Sequence, residues 1–272
     1  MTIPRRQSEI VKLARSLGRV TVDDLARRFE VSAQTIRKDL NDLCESRALT
    51  RVHGGAVVAS GVENLAYAAR RFVAAAEKRA IGAAAAALVP NGCSLFINIG
   101  TTTEEVARAL SSHEGLLVIT NNLNVAMLLY PHPRIEVIVA GGTVRRADGA
   151  VVGQESNNLI QQFKVDYAVV GASAIDEEGA LLDFDYREVQ AAQAIIANAR
   201  HVILVADSTK FRRSAPVRIG HISQVQTFVT DRGLPARVAK IAQDCSVTVI
   251  EAMDKAPNAA EEPGQDYPQA AS

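Results

Sequence analysis

The sequence predicts an α/β protein with an N-terminal winged helix-turn-helix and a C-terminal Rossmann-like domain that contains a mostly parallel sheet. Three observations support this fold class. Within residues 1–60, three short helical patterns precede a segment that alternates around two glycines. Seven short apolar runs then alternate with helical patterns up to residue 250, as in parallel sheets covered by helices on both faces. The length of 272 residues also suffices for two domains.

Composition and charge describe a globular chain whose charge is unevenly distributed. It is 48% hydrophobic and 22% charged, and its formal net charge is zero. Residues 1–60 carry 11 Lys and Arg against 7 Asp and Glu, whereas the remainder carries 19 against 23. A basic module joined to a mildly acidic body suits attraction to nucleic-acid phosphates, although a charge of +4 is also within ordinary surface variation.

Several classes of protein are disfavoured by what the sequence lacks. No apolar run reaches the roughly 18 residues of a membrane helix, and the first residues lead into a polar helix, so we expect a cytoplasmic protein without a membrane partner. Cys44, Cys93 and Cys245 look like small core residues, and the histidines form no metal motif. We expect no metal and no nucleotide cofactor, because the glycine spacings of nucleotide-binding loops are missing.

The first two helices are predicted from apolar residues at helical spacing. In the first helix these residues are Ile10, Leu13, Ala14 and Leu17. In the second they are Val22, Leu25, Ala26 and Phe29. Gly18 ends the first helix and Thr21 begins the second, in keeping with the preferences of helix ends.

The third helix has an apolar side and a polar side. Ser32 can cap its first turn, and its apolar stripe comprises Ile36, Leu40, Leu43 and Cys44. Only residues 30–32 separate it from the second helix, which is the tight connection of a helix-turn-helix. We predict DNA contacts from this helix by Ser32, Gln34, Thr35, Arg37, Lys38 and Asn41. A solvated amphipathic helix would show the same periodicity, and the neighbouring elements favour the DNA contact.

A hairpin follows the three helices. Residues 49–58 alternate around Gly54 and Gly55, a pair that suits a tight turn. We interpret this hairpin as a wing, and Arg51 and His53 are predicted to contact the DNA backbone.

An alanine-rich segment, residues 61–87, runs from the wing into a helix. Glu77, Lys78 and Arg79 would form its polar side. The linker helix around residues 70–81 is the obvious physical connection between the two domains, although its alanine-rich face fits plain interior packing equally well. We place the domains at residues 1–60 and 79–253, with a linker at 61–78 and a disordered tail at 254–272, where Pro, polar and small residues dominate.

The second domain is predicted to bind a ligand at the carboxyl ends of its strands. The predicted strands are residues 94–99, 116–120, 135–140, 165–170, 201–206, 227–230 and 246–250. Ligands of open α/β sheets bind outside these ends, and five of the ends carry small or polar residues, including residues 171–173. The predicted ligand-binding residues are Gly100, Thr101, Thr102, Thr103, Asn121, Asn122, Gly141, Gly142, Asp207 and Lys210.

Each part of this pocket has two possible roles. The threonine loop can hold an anion at a helix start, or its threonines only cap that helix. Lys210 either adds a positive charge to the same anion or is a solvated loop lysine. Asn121 and Asn122 suit polyol hydroxyls, although Asn122 can also cap the next helix. An acidic stretch after another strand either accepts hydroxyl hydrogen bonds or forms a solvated loop before a capped helix, and it comprises Asp176, Asp183, Asp185, Tyr186 and Glu188.

Together, these segments resemble the DeoR family of bacterial transcriptional repressors over residues 3–252. The winged helix-turn-helix resemblance is carried by residues 31–39 and by Arg51-Val-His-Gly-Gly-Ala56. The resemblance to the family's sensor domain is carried by Ile99-Gly-Thr-Thr-Thr103, Thr120-Asn-Asn122, Ala140-Gly-Gly142 and Asp207-Ser-Thr-Lys210. It implies a sensor fold related to sugar-phosphate isomerases and acyl-CoA transferases. The chain departs from the family pattern at Asn98, where many members have aspartate, and at Arg47, where glycine is common.

Residues 120–126, 184–189 and 207–211 look most like the family members that control glycerol 3-phosphate use. The resemblance implies a repressor that is released from double-stranded operator DNA by glycerol 3-phosphate or a similar phosphorylated polyol. Our hypothesis is a homo-oligomer, dimer or tetramer, with recognition helices about 34 Å apart. The alternatives are an enzyme like sugar-phosphate isomerases, which would need a positioned carboxylate base, and an architectural DNA-binding protein that does not respond to metabolites.

Overall fold

The computed structural model describes residues 3–17, 19–46, 48–52, 54–58 and 67–252. Its helices are α1 (Ile3–Leu17), α2 (Val22–Phe29), α3 (Ala33–Glu45), α4 (Tyr67–Phe72), α5 (Ala75–Ala86), α6 (Thr101–Ala109), α7 (Leu123–Leu129), α8 (Gln154–Ile160), α9 (Tyr186–Ala197) and α10 (Ala236–Asp244). Its strands are β1 (Arg19–Thr21), β2 (Leu49–Val52), β3 (Gly55–Val58), β4 (Ser94–Ile97), β5 (Leu116–Thr120), β6 (Ile135–Val139), β7 (Thr143–Arg145), β8 (Ala150–Val152), β9 (Val165–Val170), β10 (Ala174–Ile175), β11 (Ala180–Asp183), β12 (Ala199–Val205), β13 (Val217–His221), β14 (Thr227–Thr230) and β15 (Thr248–Glu251). The predictions for Gly18, Arg47, His53, the start of the linker and the tail lie outside these residues.

The three predicted N-terminal helices are confirmed, and they share one apolar core. Its fully buried side chains include Ile10, Leu25, Ile36 and Leu40. The caps also agree with the prediction, because Thr21 Oγ1 accepts the N–H of Asp24 at 3.2 Å and Ser32 Oγ accepts that of Thr35 at 3.1 Å. The short connection between α2 and α3 begins at Glu30, whose φ of 53° is left-handed and ends α2.

The predicted hairpin is present, and it belongs to a sheet of three strands. β2 and β3 pair antiparallel, and Gly54 in the turn has φ of 74°, which glycine adopts without strain. β1 adds to the other side of β3. A side chain on Gly55 would collide with the backbone carbonyl of Val20, so glycine at this position lets β1 lie against the hairpin.

The second domain contains the predicted parallel sheet, with all seven predicted strands. Their order is β15-β14-β12-β9-β4-β5-β6, and each adjacent pair is parallel. The chain enters at β4, proceeds outward to β5 and β6, and returns to β9 on the opposite side of β4. The strand order therefore reverses between β4 and β9, which is where open α/β sheets bind ligands.

Helices cover both faces of this sheet, because successive strand residues point to opposite sides. Leu95 and Ile97 of β4 pack in a core that contains side chains of α5, α6 and α7. Phe96, between them, packs in a second core that contains side chains of α9 and α10. All three side chains are fully buried, which explains why the strand is a continuous apolar run.

Two small sheets, which the sequence did not predict, stand beside the main one. β7 and β8 form a hairpin, and β10, β11 and β13 form a three-stranded sheet. The second of these brings β11 to the start of α9, so that Asp183 ends the strand and Asp185 caps the helix. The acidic residues of this segment thereby have fixed positions.

The prediction that Lys78 lies on a polar side of its helix is wrong. Arg79 is exposed, but Lys78 of α5 is buried. Its ammonium group is tolerated in the interior because Nζ donates a hydrogen bond to the carbonyl oxygen of Arg70 at 2.5 Å. Lys78 consequently joins α5 to α4 from the inside.

Candidate ligand cavity and DNA-binding surface

A cavity that is open to solvent lies at the reversal of strand order. It is lined by the loops after β4 and β9, by Asp183 at the end of β11, and by side chains from α4, α9 and the turn after β12. Its polar lining residues are Arg70, Thr101, Thr102, Thr103, Ser173, Asp183, Glu188 and Lys210. Of the predicted ligand-binding residues, Gly100, the three threonines and Lys210 are therefore brought together.

The threonine loop presents the beginning of α6 to the cavity. Gly100 has φ of 152° and provides no side-chain cap, so the first N–H groups of this nine-residue helix are left for another acceptor. Thr103 Oγ1 donates to the carbonyl oxygens of Asn98 at 2.7 Å and Gly100 at 2.8 Å. Thr103 thus fixes the loop, while free N–H groups and the helix dipole favour an anion beside Thr101 and Thr102.

Lys210 supplies a buried cation to the same cavity. It lies in a 3-10 helix, Ser208–Arg212, directly after β12. Burial lowers the pKa of Lys210 to about 7, against the opposing effect of Asp207. An anion near this amine would restore its charge, because an opposite charge favours protonation.

Asp207 does not line the cavity but stabilises the turn that carries Lys210. It accepts the N–H of Thr209 at 3.1 Å and also the hydroxyl of Thr209. Burial acts to raise the pKa of Asp207, but Lys210, Lys78 and the bonds from Thr209 hold it below its usual value. Its predicted role in direct ligand contact remains a prediction.

Two carboxyl groups line the cavity together with these cations. Asp183 accepts hydrogen bonds from Ser173 Oγ at 3.2 Å and from the N–H of Phe184 at 2.6 Å. Burial and the neighbouring Asp183 raise the pKa of Glu188 to about 7, while Arg145 opposes the rise. The cavity therefore offers hydrogen-bond acceptors as well as positive charge, a combination suited to a ligand with both phosphate and hydroxyl groups.

The acidic segment also contains the predicted helix cap. Asp185 accepts the N–H of Arg187 at 2.9 Å and begins α9. Both alternatives for this segment therefore describe part of it, because Asp185 caps a helix while Asp183 and Glu188 line the cavity.

Arg145, which the sequence analysis missed, joins this segment to the β7–β8 hairpin. Its guanidinium bonds to Asp148 at 2.9 Å and Asp185 at 2.7 Å, and it also contacts Glu188. Burial acts to lower the pKa of Arg145, but the hydrogen bonds and charges of Asp148 and Glu188 raise it above its usual value. No sequence pattern could reveal the contact between Arg145 and Asp185, because these residues lie 40 positions apart. The spacing of Arg145 and Asp148 is that of an ordinary turn, so it did not indicate a binding site.

The remaining predicted ligand residues lie outside the cavity lining. Asn122 caps α7 by accepting the N–H of Asn124 at 2.9 Å, and its amide donates to Glu104 at 3.3 Å. Asn121 is fully buried. Gly141 follows β6, and Gly142 lies close to the backbone of β8. The structure does not bring these four residues together with the threonine loop in one lining, and their ligand contacts stay a prediction.

The predicted DNA-binding residues of α3 share an exposed surface. Gln34, Arg37, Lys38 and Asn41 are exposed, whereas Ile36 and Leu40 are buried. Ser32 is exposed and its hydroxyl lies 2.9 Å from that of half-buried Thr35. Arg51 lies in β2, but its side chain is outside the described part of the chain, as is His53. The helix thus has the separate core and polar sides that the sequence predicts.

Two further findings concern other kinds of site. Among the residues that the structure describes, no helix is long and apolar enough to span a bilayer. Within the same residues, no group of three His, Cys, Asp or Glu side chains has a geometry that could hold a metal ion.

Both halves of the chain match known families. Residues 6–62 match the DeoR-like helix-turn-helix domain, and residues 73–232 match the DeoR C-terminal sensor domain. The second match covers the threonine loop, the acidic segment and Lys210.

Three bacterial repressors are similar to the chain over most of its length. The glycerol-3-phosphate regulon repressor of Escherichia coli K12 is 43% identical over 88% of this chain and 95% of its own length. That of Haemophilus influenzae is 45% identical over 83% of this chain and 88% of its own. The HTH-type transcriptional repressor CsqR of Escherichia coli K12 is 41% identical over 90% and 94%. The chain therefore belongs to the DeoR family of transcriptional repressors and is a regulator rather than an enzyme.

Proposed function

We propose that the protein represses transcription by binding operator DNA through α3, and that glycerol 3-phosphate in the sensor cavity releases it. The effector is a regulatory ligand, and no cofactor takes part. The protein acts in the cytoplasm as a homo-oligomer, because two recognition helices in successive major grooves require at least two copies.

The observation that carries this proposal is the mixed lining of the cavity. Thr101 and Thr102 at the start of α6, together with buried Lys210, form a site for a phosphate group. Asp183 and Glu188 line the same cavity and can accept hydrogen bonds from hydroxyl groups. A small phosphorylated polyol satisfies both kinds of contact.

The choice of glycerol 3-phosphate is supported by the names of the two relatives with 43% and 45% identity. The name of CsqR, at 41% identity, mentions no effector, so identity of this degree does not by itself fix the ligand. Direct comparison of ligands must therefore decide among phosphorylated polyols and sugars.

The decisive experiment measures DNA and ligand binding together. The purified full-length protein is titrated against its upstream promoter DNA in a mobility-shift assay, with glycerol 3-phosphate, other sugar phosphates, and glycerol as the control without phosphate. We expect glycerol 3-phosphate to weaken DNA binding by about 5- to 150-fold, the usual range of allosteric coupling, and glycerol to have no effect.

Two results would contradict the proposal in different ways. Stronger release by another phosphorylated sugar would reject glycerol 3-phosphate but retain a metabolite-controlled repressor. Unchanged DNA binding with every phosphorylated metabolite would reject metabolite control and favour an architectural DNA-binding protein.

A further inference from the structure

Arg70 is a cavity residue that comes from the linker rather than from the sheet. It lies on α4, the first described helix after the wing hairpin, and its side chain lines the cavity beside the threonine loop and Lys210. The side chain is only 13% exposed. A buried guanidinium at this position brings positive charge to the cavity from a segment that leads directly to the DNA-binding domain.

The hydrogen bonding of Arg70 is incomplete. Its Nε is buried and has no hydrogen-bond partner within the described residues. Its ion pair is with Asp148, at 3.6 Å from Nη2. Asp148 is already engaged by Arg145, whose Nη2 lies 2.5 Å from the same carboxylate oxygen. Because guanidinium groups prefer two short, parallel bonds to an oxyanion, Arg70 retains donors for a further anion.

The backbone of Arg70 is tied to the interior of the sensor domain. The buried ammonium of Lys78 holds the carbonyl oxygen of Arg70 at 2.5 Å. Tyr67, one turn earlier on α4, donates its hydroxyl to Glu104 of α6 at 2.7 Å. Glu104 directly follows the threonine loop in sequence. A change at the anion site therefore has two routes to α4, through the Arg70 side chain and through the beginning of α6.

We propose that Arg70 binds the phosphate of the effector and thereby transmits its presence to the segment that leads to the DNA-binding domain. This inference rests on the proposed function. When the phosphate binds, the guanidinium of Arg70 leaves its long contact with Asp148 and pairs with the phosphate. Asp148 remains paired with Arg145. α4, which carries Arg70, is consequently held differently with ligand than without it.

The test compares Arg70→Gln with Arg71→Gln in the full-length protein. Arg71 is the next residue of the same helix and is exposed, so its variant loses the same charge without affecting the cavity. Calorimetric titration with glycerol 3-phosphate gives the ligand affinity, and a mobility-shift assay gives operator affinity with and without ligand. Arg70→Lys, which keeps the charge but loses the two-pronged geometry, serves as the third variant.

We expect Arg70→Gln to bind the ligand at least about tenfold more weakly, and the ligand should no longer weaken its binding to operator DNA. Arg70→Lys should be intermediate, and Arg71→Gln should behave as wild type. Thermal melting of each unliganded variant shows whether it is folded, and Arg70→Lys carries the test if Arg70→Gln is not.

The outcomes separate this inference from the proposed function. If wild type binds and responds to the ligand while both Arg70 variants do so equally well, the role of Arg70 is rejected and the proposed function stands. If wild type itself binds no phosphorylated polyol, the proposed function is rejected, and the role of Arg70 with it.

Discussion

Arg6 and Asp39 form a buried ion pair that joins α1 to the predicted recognition helix, with 2.5 Å between Arg6 Nε and Asp39 Oδ2. Both side chains are less than a tenth exposed. The bond to Asp39 raises the pKa of Arg6, against the opposing effect of burial. Asp39 therefore faces the interior of the DNA-binding domain, in contrast to the exposed Arg37 and Lys38 that precede it.

Substitution Asp39→Asn should destabilise the DNA-binding domain by about 3–5 kcal/mol, because it leaves the Arg6 charge buried without its partner. We expect faster hydrogen exchange in α1 and α3 and unchanged exchange in α5 to α10. Asp42→Asn is the matched control on the same helix, since Asp42 is exposed, and should change stability by less than about 0.5 kcal/mol. Equal effects of the two substitutions would show that the buried pair contributes nothing particular.

Substitution Arg37→Ala should weaken operator binding by about 5- to 150-fold, the equivalent of the roughly 1–3 kcal/mol lost with one specific contact. Affinity for the effector should stay the same, because Arg37 lies on the exposed side of α3. Lys240→Ala, which removes an exposed charge from α10, controls for total charge. Normal operator binding by the Arg37 variant in a mobility-shift titration would remove this residue from the predicted DNA contacts.

Effector binding should take up a proton at Lys210. The pKa of this amine is lowered to about 7 by burial, so at pH 8 it is mostly neutral in the free protein, and the bound phosphate should recharge it. The phosphate ester is already doubly charged at pH 8. Calorimetry at pH 8 in buffers of different ionisation enthalpy should give about one proton per site.

The sign of this linkage fixes how affinity depends on pH. Because the complex binds more protons than the free protein above pH 7, effector affinity should fall as pH rises from 7 to 9, by up to about tenfold per pH unit. A Lys210→Met variant should take up no proton. Uptake that persists in this variant would assign the proton to another group.

Substitution Glu188→Gln should change how stability depends on pH. Burial and Asp183 raise the pKa of Glu188 from 4.5 to about 7, so the folded state binds more protons than the unfolded state between these values. The wild-type protein therefore loses stability from this group as pH rises through that window, by at most about 3 kcal/mol. Denaturant unfolding should show that the free energy of unfolding of the variant, relative to that of wild type, is larger at pH 7.5 than at pH 5. A difference in stability that is the same at both values would contradict the prediction.

The sequence predicted the main sheet because the signal for each of its strands is local. β4 is a continuous apolar run since both of its faces are buried, by Leu95 and Ile97 on one side and Phe96 on the other. β1 gave no such signal, because three residues are too few to show a period. Its pairing depends on Gly55 more than 30 positions later.

Only some of the residues that line the cavity were predicted from the sequence. The threonine loop and Lys210 each follow a predicted strand, so the rule for strand ends placed them together. Arg70 reaches the cavity from the linker, and Glu188 reaches it from a helix after a small sheet that the sequence did not predict. The residue pattern of the helix predicted that Lys78 is at the surface, because lysine is usually solvated. In the structure a backbone carbonyl, that of Arg70, accepts a hydrogen bond from its buried ammonium group.

The position of β4 beside β9 has a consequence for how regulators of this kind diversify. The crevice is created by the path of the chain through the sheet, and the backbone of α6 that faces it is independent of side-chain identity. Asp183 and Glu188, in contrast, stand on peripheral elements. Exchange of these two side chains should therefore retune which metabolite is recognised without rebuilding the scaffold, so that duplicated genes can acquire new inducers through a few point mutations.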